Sequence, residues 1–216
     1  MGIEREIKLA LPSSLHDAVA TLINRQTGTE GRKINLTNVY FDTPAHTLAK
    51  AKNALRLRGM PDHWLQTYKT AGESQDGMHS RHEWEMPVAG EALEIDALLE
   101  LCDDEQARDA LRDAAPDLAA LFRTDFSRVI WDIEHEGAMI EVALDLGEIV
   151  TNIDGEHRTA PISELELELK SGGEQALDDL AALMRGAFTD LQPENLSKAR
   201  RGYDLCASKA GEGGEV

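Results

Sequence analysis

Charged and apolar residues alternate along three stretches of the chain with the two-residue period of a β-strand. The first stretch is Glu4-Arg5-Glu6-Ile7-Lys8, the second is Arg81-His82-Glu83-Trp84-Glu85, and the third runs from Glu164 to Lys170. Side chains i, i+2 and i+4 of a strand share one face, so each stretch has a charged face opposite a largely apolar one. Acids and bases are interleaved on these charged faces, which distinguishes them from an ordinary solvated sheet face.

Further alternating segments, separated by turn signals, predict eight or nine strands that are joined mostly as antiparallel hairpins. Beyond the first strand, they cover residues 32–42, 53–59, 64–70, 78–87, a segment from residue 124, and residues 138–146, 149–153 and 162–170. Residues 71–77 have the composition of a polar loop. Helical spacing of apolar residues predicts helices at about 13–27, 174–188 and 192–203, with two or three short helices in 91–121.

This order of elements favours an α+β fold in which a closed antiparallel β-barrel carries its helices on the outside. Closure removes the sheet edges and creates an inside face, the lumen, that can hold a ligand. The apolar strand faces can pack under the helices, which leaves the charged faces to converge on the lumen. The strand period places these residues on the charged faces: Glu4, Glu6, Lys8, Arg56, Arg58, Lys69, Arg81, Glu83, Glu85, Arg128, Glu141, Asp145, Glu164, Glu166, Glu168 and Lys170.

For any one strand, a solvated face with cross-strand ion pairs is the simpler interpretation, because buried charge is rare. Recurrence in six strands, with an apolar opposite face each time, favours the charged lumen instead. Bases alone would indicate an anion site, and acids alone would indicate a metal site. Both together suit phosphoryl transfer, in which divalent ions bridge carboxylates to phosphate oxygens while Arg and Lys neutralise the rest.

Composition excludes several classes of function. The 216 residues carry 40 acids against 22 bases, a formal net charge of −18 that repels nucleic acid and anionic membrane surfaces. No apolar run has the length of a membrane span, and the N-terminus lacks the apolar core of a signal peptide. The two cysteines, Cys102 and Cys206, are too few for a disulfide framework or a zinc site. We therefore expect a cytoplasmic protein with one domain and no nucleic-acid or membrane partner.

An ordered set of short motifs runs along the chain: Glu4-x-Glu6-x-Lys8, Tyr40-Phe41-Asp42-Thr43, Leu55-Arg56-Leu57-Arg58, Thr67-x-Lys69, Arg81-x-Glu83-x-Glu85, Glu141-x3-Asp145-Leu146-Gly147, Ser163 to Leu169, and Ser197-Lys198-x2-Arg201-Gly202-Tyr203. Taken in this order, the motifs resemble those of the CYTH superfamily, the triphosphate tunnel metalloenzymes. The resemblance covers about residues 3–205 and is closest to bacterial inorganic triphosphatases, in which this domain often precedes a histidine-bearing helical CHAD domain. Residues 206–216 are then expected to form a flexible tail or the start of a linker, which makes a CHAD domain an expected partner in the full-length protein.

The resemblance implies an eight-stranded antiparallel tunnel that hydrolyses inorganic triphosphate or short polyphosphate with Mg²⁺ or Mn²⁺. By motif, the metal ligands would be Glu4, Glu6, Glu166 and Glu168, and the phosphate-binding bases would be Lys8, Arg56, Arg58, Lys69, Arg81 and Arg128. Lys198 would act with Glu4 and Glu6 in catalysis, at the tunnel end near the attacking water or the leaving phosphate. For the inner-wall acids Glu83, Glu85, Glu141, Asp145 and Glu164, contact with metal and pairing with a base both stay open.

Three alternatives remain at this point. Thiamine triphosphatase and class IV adenylate cyclase belong to the same family, and both need a site for an organic base that no evident aromatic set provides. A non-catalytic module could bind polyphosphate without cleaving it. An acidic barrel with purely structural ion pairs would hold a costly buried network without a ligand. The scattered histidines are expected mostly at the surface, Tyr40 and Tyr203 in structural roles, and Trp64, Trp84 and Trp131 between barrel and helices.

Overall fold

The computed structural model describes residues 2–60, 62–70 and 72–208. Its strands are β1 (Gly2–Ala10), β2 (Arg32–Asp42), β3 (Ala54–Gly59), β4 (Trp64–Lys69), β5 (Glu73–Gln75), β6 (Met78–Val88), β7 (Ala119–His135), β8 (Ala138–Ile153), β9 (Glu156–Ser171) and β10 (Gln192–Pro193). Its α-helices are α1 (His16–Thr27), α2 (Thr47–Lys50), α3 (Ile95–Leu101), α4 (Glu105–Ala114), α5 (Glu174–Ala187) and α6 (Lys198–Ala207). Short 3-10 turns span Ser13–Leu15 and Ala115–Asp117. No helix in these ranges is long and apolar enough to cross a membrane.

Eight of the strands form a closed antiparallel barrel. The hydrogen-bonded order is β1-β9-β8-β7-β2-β3-β4-β6, and a pairing between β1 and β6 closes the ring. Strand β1 bridges two neighbours, since Gly2–Ile7 pair with β6 while residues 6–10 pair with β9. The short strands β5 and β10 lie outside the ring, against β6 and β1. The predicted α+β class, the eight-stranded closed barrel and the outer helices are confirmed.

The apolar strand faces pack under the outer helices. Ile7 and Leu9 of β1 lie in one cluster with Val19 of α1 and Leu177 of α5. Trp84 and Tyr68 lie in a second cluster with residues of α3 and α4, and Trp131 is buried in the first, which confirms the predicted place of these two tryptophans. Because helices cover the apolar faces, the alternating charged faces have to point inward.

Three long strands, β7, β8 and β9, differ from the predicted boundaries. Strand β9 begins at Glu156 and not at the predicted residue 162, because residues 156–161 pair with residues 148–153 of β8. Residues 119–121, predicted as helical, belong to β7, because pairing with Phe41 and Asp42 of β2 outweighs the helix preference of Ala and Leu. Residues 138–146 and 149–153, predicted as separate strands, form the single strand β8. Gly147 lies between the two parts. A glycine is needed there, because a Cβ would lie 2.1 Å from the backbone oxygen of Asp125.

Two shorter segments also depart from the prediction. Within the predicted polar loop, Glu73–Gln75 form β5 because β6 offers them an open edge. The predicted helix at 192–203 begins later, at Lys198, since residues 192 and 193 pair with β1 and the Ser197 side chain caps the helix by accepting the Arg200 N–H. At the other end α6 continues to Ala207, and residues 209–216 of the predicted tail lie outside the described residues.

Candidate active site in the barrel lumen

The barrel encloses a cavity of about 190 Å³. Such a volume would hold on the order of a dozen water molecules, so the lumen can admit a small hydrated anion. All of the predicted lumen residues line this cavity except Asp145 and Glu164, which lie buried immediately behind it as partners of Lys198. The fold therefore brings the predicted site together from distant parts of the sequence.

Strand register arranges the acids and bases of one wall in successive rows. Glu6 of β1 stands opposite Glu168 of β9, which stands opposite Glu141 of β8. We call these three residues the acidic row. Like charges directly opposite one another destabilise a sheet, so this row favours a cation among its carboxylates. The next row pairs Lys8 with Glu166.

A second group of acids surrounds one buried lysine, and we call it the Lys198 cluster: Lys198, Asp145, Glu164 and Glu166. The Lys198 ammonium donates to Asp145 at 2.6 Å, to Glu166 at 3.0 Å, and to Glu164. Burial alone would lower the pKa of Lys198, but the three carboxylates hold it well above its usual value. Lys198 is the first residue of α6, where the helix dipole disfavours a cation, so these acids determine its position.

The acids of this cluster are shared with other bases. Arg128 donates to both carboxylate oxygens of Asp145, each at 2.7 Å, and also to Glu166. Glu166 accepts in addition from Lys8 at 2.5 Å, and despite burial the cations hold its pKa well below its usual value. The pKa of Glu164 is raised, because burial and the neighbouring Glu166 charge outweigh its bonds to Lys198 and Arg201.

The adjoining wall of the lumen, formed by β1, β4 and β6, carries a second ion-pair network. Lys69 donates to Glu4 at 2.8 Å and lies 2.9 Å from Glu83. Arg81 bridges Glu4 at 2.9 Å and Glu6 at 2.7 Å. Despite burial, these cations hold the pKa of Glu4 far below its usual value. Charged residues of the lumen are therefore paired with one another wherever register allows.

Arg58 differs from the other predicted phosphate-binding bases. Among the described residues it makes no ion pair, and its Nε donates to the Asn38 side-chain oxygen at 2.7 Å. Burial lowers its pKa to about 10, and the nearby charges of Arg56 and Arg128 act in the same direction. Within the described residues Arg58 is thus a cation without a directly paired carboxylate, and the charge of Glu85 offsets burial and the two neighbouring arginines only in part.

Several residues of the site were not assigned from the sequence. Asn38 is fully buried and links Arg58 to Thr124. The signal that could have found it is an asparagine in the middle of a predicted strand, where Asn is disfavoured. Arg201 belongs to a quoted motif but had no predicted role, and it bonds Glu164. Tyr40, expected to be structural, also lines the cavity. Two of the seven histidines, His16 and His79, are buried, and the other five are half-buried or exposed.

The acids offer two places for a cation. Asp145, Glu164 and Glu166 present oxygen atoms that all lie within 4.8 Å of one another, although the Lys198 ammonium already neutralises them. The acidic row is less well compensated, since burial and repulsion by Glu4 and Glu141 raise the pKa of Glu168. Lys170, the basic partner of Glu168, has a side chain that is 40 % exposed, so solvent weakens its compensation of this carboxylate. Carboxylate oxygens at both places are the ligand type that a hard divalent cation prefers.

Known proteins resemble this chain over nearly its whole length. An inorganic triphosphatase from Haemophilus influenzae is 36% identical over 203 residues, which are 94% of this chain and 54% of the relative. The chain therefore spans about half the length of that curated relative.

Solved structures share the fold. A Hippeastrum protein, described as an adenylyl cyclase candidate with a dominant triphosphatase activity, superposes with a TM-score of 0.63 at 18% identity, covering 93% of this chain and 95% of that one. An adenylate cyclase candidate from Bacillus halodurans has a TM-score of 0.58 at 22% identity, with 93% and 98% covered. At these identities the likeness concerns the fold alone.

The sequence profile of the CYTH domain matches residues 2–203, which include every strand of the barrel and the Lys198 cluster. This chain therefore belongs to the CYTH domain family.

Proposed function

We propose that this chain hydrolyses inorganic triphosphate to pyrophosphate and phosphate inside the barrel, with Mg²⁺ or Mn²⁺ as cofactor. The observation that carries the proposal is the composition of the lumen wall, in which many acids and bases are paired with one another. Its bases are Lys8, Arg56, Arg58, Lys69, Arg81, Arg128, Lys170 and Lys198, and its acids are Glu4, Glu6, Glu83, Glu85, Glu141, Glu166 and Glu168. The inorganic triphosphatase from Haemophilus influenzae supports the choice of substrate.

Charge balance explains why both residue types are needed. With its bases and acids nearly equal in number, the cavity wall is close to neutral without a ligand. A triphosphate brings several negative charges, so its oxygens compete with the carboxylates for Arg and Lys. The carboxylates that lose their bases then need another cation, which a divalent metal would supply.

Metal ligands are proposed by motif and by charge. Glu4, Glu6 and Glu168 fit, because they belong to or adjoin the acidic row, and Glu166 fits if Lys8 and Lys198 turn to phosphate. When bound, the metal neutralises phosphate oxygens and polarises the phosphorus that water attacks.

The chain's own groups bind and orient the substrate. In the described part of the chain Arg58 has no ion-paired carboxylate, so it offers phosphate oxygens a cation without breaking such a pair. Lys198 would stabilise charge that develops on the terminal phosphate or the leaving pyrophosphate. Water supplies the oxygen of the new phosphate, its proton passes to solvent or product, and the bridging oxygen leaves on pyrophosphate. The remaining acids are proposed to act by charge pairing with the bases of the site: Glu83, Glu85, Glu141, Asp145 and Glu164.

The decisive assay measures phosphate release from tripolyphosphate with Mg²⁺ or Mn²⁺, and compares it with ATP and thiamine triphosphate. We expect turnover of tripolyphosphate to exceed that of both organic triphosphates and to stop when EDTA removes the metal. Comparable turnover of ATP or thiamine triphosphate would contradict the inorganic substrate, and cyclic AMP formation would indicate a cyclase. Tight binding without metal-stimulated hydrolysis would identify a polyphosphate-binding module instead.

Replacing Arg58 with glutamine separates binding from stability. Glutamine keeps a hydrogen-bonding group near Asn38 but removes a buried cation that makes no ion pair with any described residue. The melting temperature without ligand should therefore stay level or rise. Affinity for tripolyphosphate should fall about 10- to 100-fold, since a hydrogen bond to a charged group contributes roughly 1.5–3 kcal/mol.

The control is Arg123→Gln, because Arg123 is an exposed strand arginine that pairs with Asp125 outside the cavity. Its tripolyphosphate affinity, read from the ligand-induced rise in melting temperature, should match that of the unmodified protein. An Arg58→Gln protein with unchanged affinity would show that the paired bases alone hold the phosphates.

The cellular location of the protein and its C-terminal partner domain are also proposals. A cytoplasmic location and a CHAD domain as a C-terminal partner rest on composition and on the family resemblance. Neither affects the tests above, which need only the barrel and the divalent metal.

A further inference from the structure

Two of the three acids in the Lys198 cluster share bases that border the lumen. Asp145 pairs with Arg128 as well as with Lys198. Glu166 pairs with Arg128 and Lys8 in addition to Lys198. All three of these bases line the lumen. An anion in the lumen can therefore draw each of them toward its own oxygens and away from the two carboxylates.

Glu164, the third acid of the cluster, has a second base of a different kind. Lys198 donates to its Oε1 atom, and Arg201 donates to its Oε2 atom. Among the described bases that pair with the three acids, Arg201 alone does not line the lumen. A ligand in the lumen does not compete for Arg201 as it does for the other bases, so Glu164 stays compensated when Lys198 turns to the ligand.

Helix α6 fixes the position of Arg201 relative to Lys198. The two residues are three apart in this helix, so their side chains share one face of it. Gly202 allows the helix to lie directly against β7, since a Cβ there would lie 2.1 Å from the Phe122 ring. Close packing of the helix on the barrel thus holds both cations beside Glu164.

The surroundings of Arg201 make Glu164 its main partner. The Arg201 side chain is 17 % exposed, and its Nε atom is buried without a hydrogen-bond partner among the described residues. Its bond to the Pro161 carbonyl is long, at 3.4 Å. The desolvation of a buried guanidinium offsets much of its attraction to one carboxylate, so the pair by itself contributes little net stability. The main effect of Arg201 is therefore on the charge of Glu164.

We propose that Arg201 is a positioning residue for Lys198, which it leaves available to the triphosphate by compensating the charge of Glu164. The proposal rests on the proposed function, because it concerns the same substrate in the same lumen. Without Arg201, Lys198 would be the one ion-pair partner of Glu164 among the described residues. The carboxylate would then hold the Lys198 ammonium more strongly and keep it from the substrate.

The test compares Arg201→Gln with Arg200→Gln. Arg200 is the preceding residue of α6, but it is exposed and pairs with Asp204 at the surface. With saturating tripolyphosphate and Mn²⁺, turnover of Arg201→Gln should fall about 10-fold, the lower end for a hydrogen bond between charged groups. Its affinity for tripolyphosphate in EDTA, measured by isothermal titration, should fall by a smaller factor, because the other bases still bind phosphate. Arg200→Gln should change neither quantity.

Two further variants separate an effect on Lys198 from a loss of folded protein. Arg201→Lys keeps a cation and should retain more than about half of the turnover, because Arg201 donates to Glu164 through a single nitrogen. Adding Arg201→Gln to Glu164→Gln should change turnover by less than about twofold relative to Glu164→Gln, since the carboxylate through which Arg201 acts is gone. All rates are measured well below the melting temperature of each variant.

Unchanged turnover in Arg201→Gln, or an equal loss in Arg200→Gln, would overturn the proposal. A loss as large in the Glu164→Gln background as in the unmodified background would also overturn it, because Arg201 would then act without Glu164. Failure of the proposed function has a different signature. The unmodified protein would show no metal-dependent phosphate release, while a weaker affinity of Arg201→Gln for tripolyphosphate in EDTA would still report the effect on Lys198.

Discussion

Replacing Lys198 with alanine is expected to destabilise the protein and to slow hydrolysis at the same time. The substitution leaves Asp145, Glu164 and Glu166 buried with one cation fewer. Breaking a buried ion pair by removing one partner costs about 3–5 kcal/mol, so a large fall in melting temperature at pH 7 should follow. Turnover at saturating tripolyphosphate should fall by a larger factor than the affinity for tripolyphosphate, because other bases still hold the phosphates.

The pH dependence of stability tests whether uncompensated carboxylate charge causes the destabilisation of Lys198→Ala. In the unmodified protein the pKa values of Asp145 and Glu166 lie below their usual range, so the stability they contribute is present at neutral pH and is lost on acidification. Without Lys198 these pKa values should rise, and protonation should then relieve repulsion. The difference in melting temperature between the two proteins should therefore narrow from pH 7 to about pH 5.

Lys170→Ala is the control for Lys198→Ala. Lys170 also pairs with two acids, Glu141 and Glu168, but its side chain is 40 % exposed, so its removal should cost less than about 1 kcal/mol. A Lys198→Ala enzyme with unchanged turnover and only a raised KM would show that this lysine binds phosphate without acting in the chemical step.

Glu6→Gln is expected to lower metal affinity and hydrolysis together. Substitutions outside the ligand shell already cost 10- to 100-fold, so loss of a direct ligand should cost at least about 100-fold in turnover at fixed metal concentration. The measurement is the dependence of phosphate release on Mn²⁺ concentration. Saturating Mn²⁺ should restore part of the activity, because Glu4 and Glu168 remain.

The same substitution should reduce stability without metal only moderately. Burial raises the pKa of Glu6, but Lys8 at 2.6 Å and Arg81 at 2.7 Å hold it below its usual value, so the charge is net stabilising. Both bases keep another partner, Glu166 and Glu4, so we expect a loss of about 1–3 kcal/mol. Glu174→Gln, which removes an exposed carboxylate paired with Arg5, is the control and should affect neither property. Normal metal dependence in Glu6→Gln would remove Glu6 from the set of ligands.

Periodicity predicted which side of each strand faces the lumen, because the alternation of a strand is a local property of the chain. Glu4, Glu6 and Lys8 were therefore assigned to the lumen correctly, and the outer helices followed from the apolar faces opposite them. The boundaries of β7 and α6 were predicted less well. At those places pairing with distant strands and a side-chain cap outweighed local preference.

The partner of each charge could not be predicted, because it depends on register between strands that lie far apart in the sequence. Lys8 meets Glu166 across a separation of 158 residues, and Lys198 meets Asp145 across 53. The same long-range placement leaves Arg58 without an ion pair among the described residues. The sequence by itself thus determined the charged inner face and the family, whereas the tertiary structure decided which charges neutralise each other and which are left for a ligand. The reason is that alternation is local, while Coulomb energy depends on distances that only the closed barrel sets.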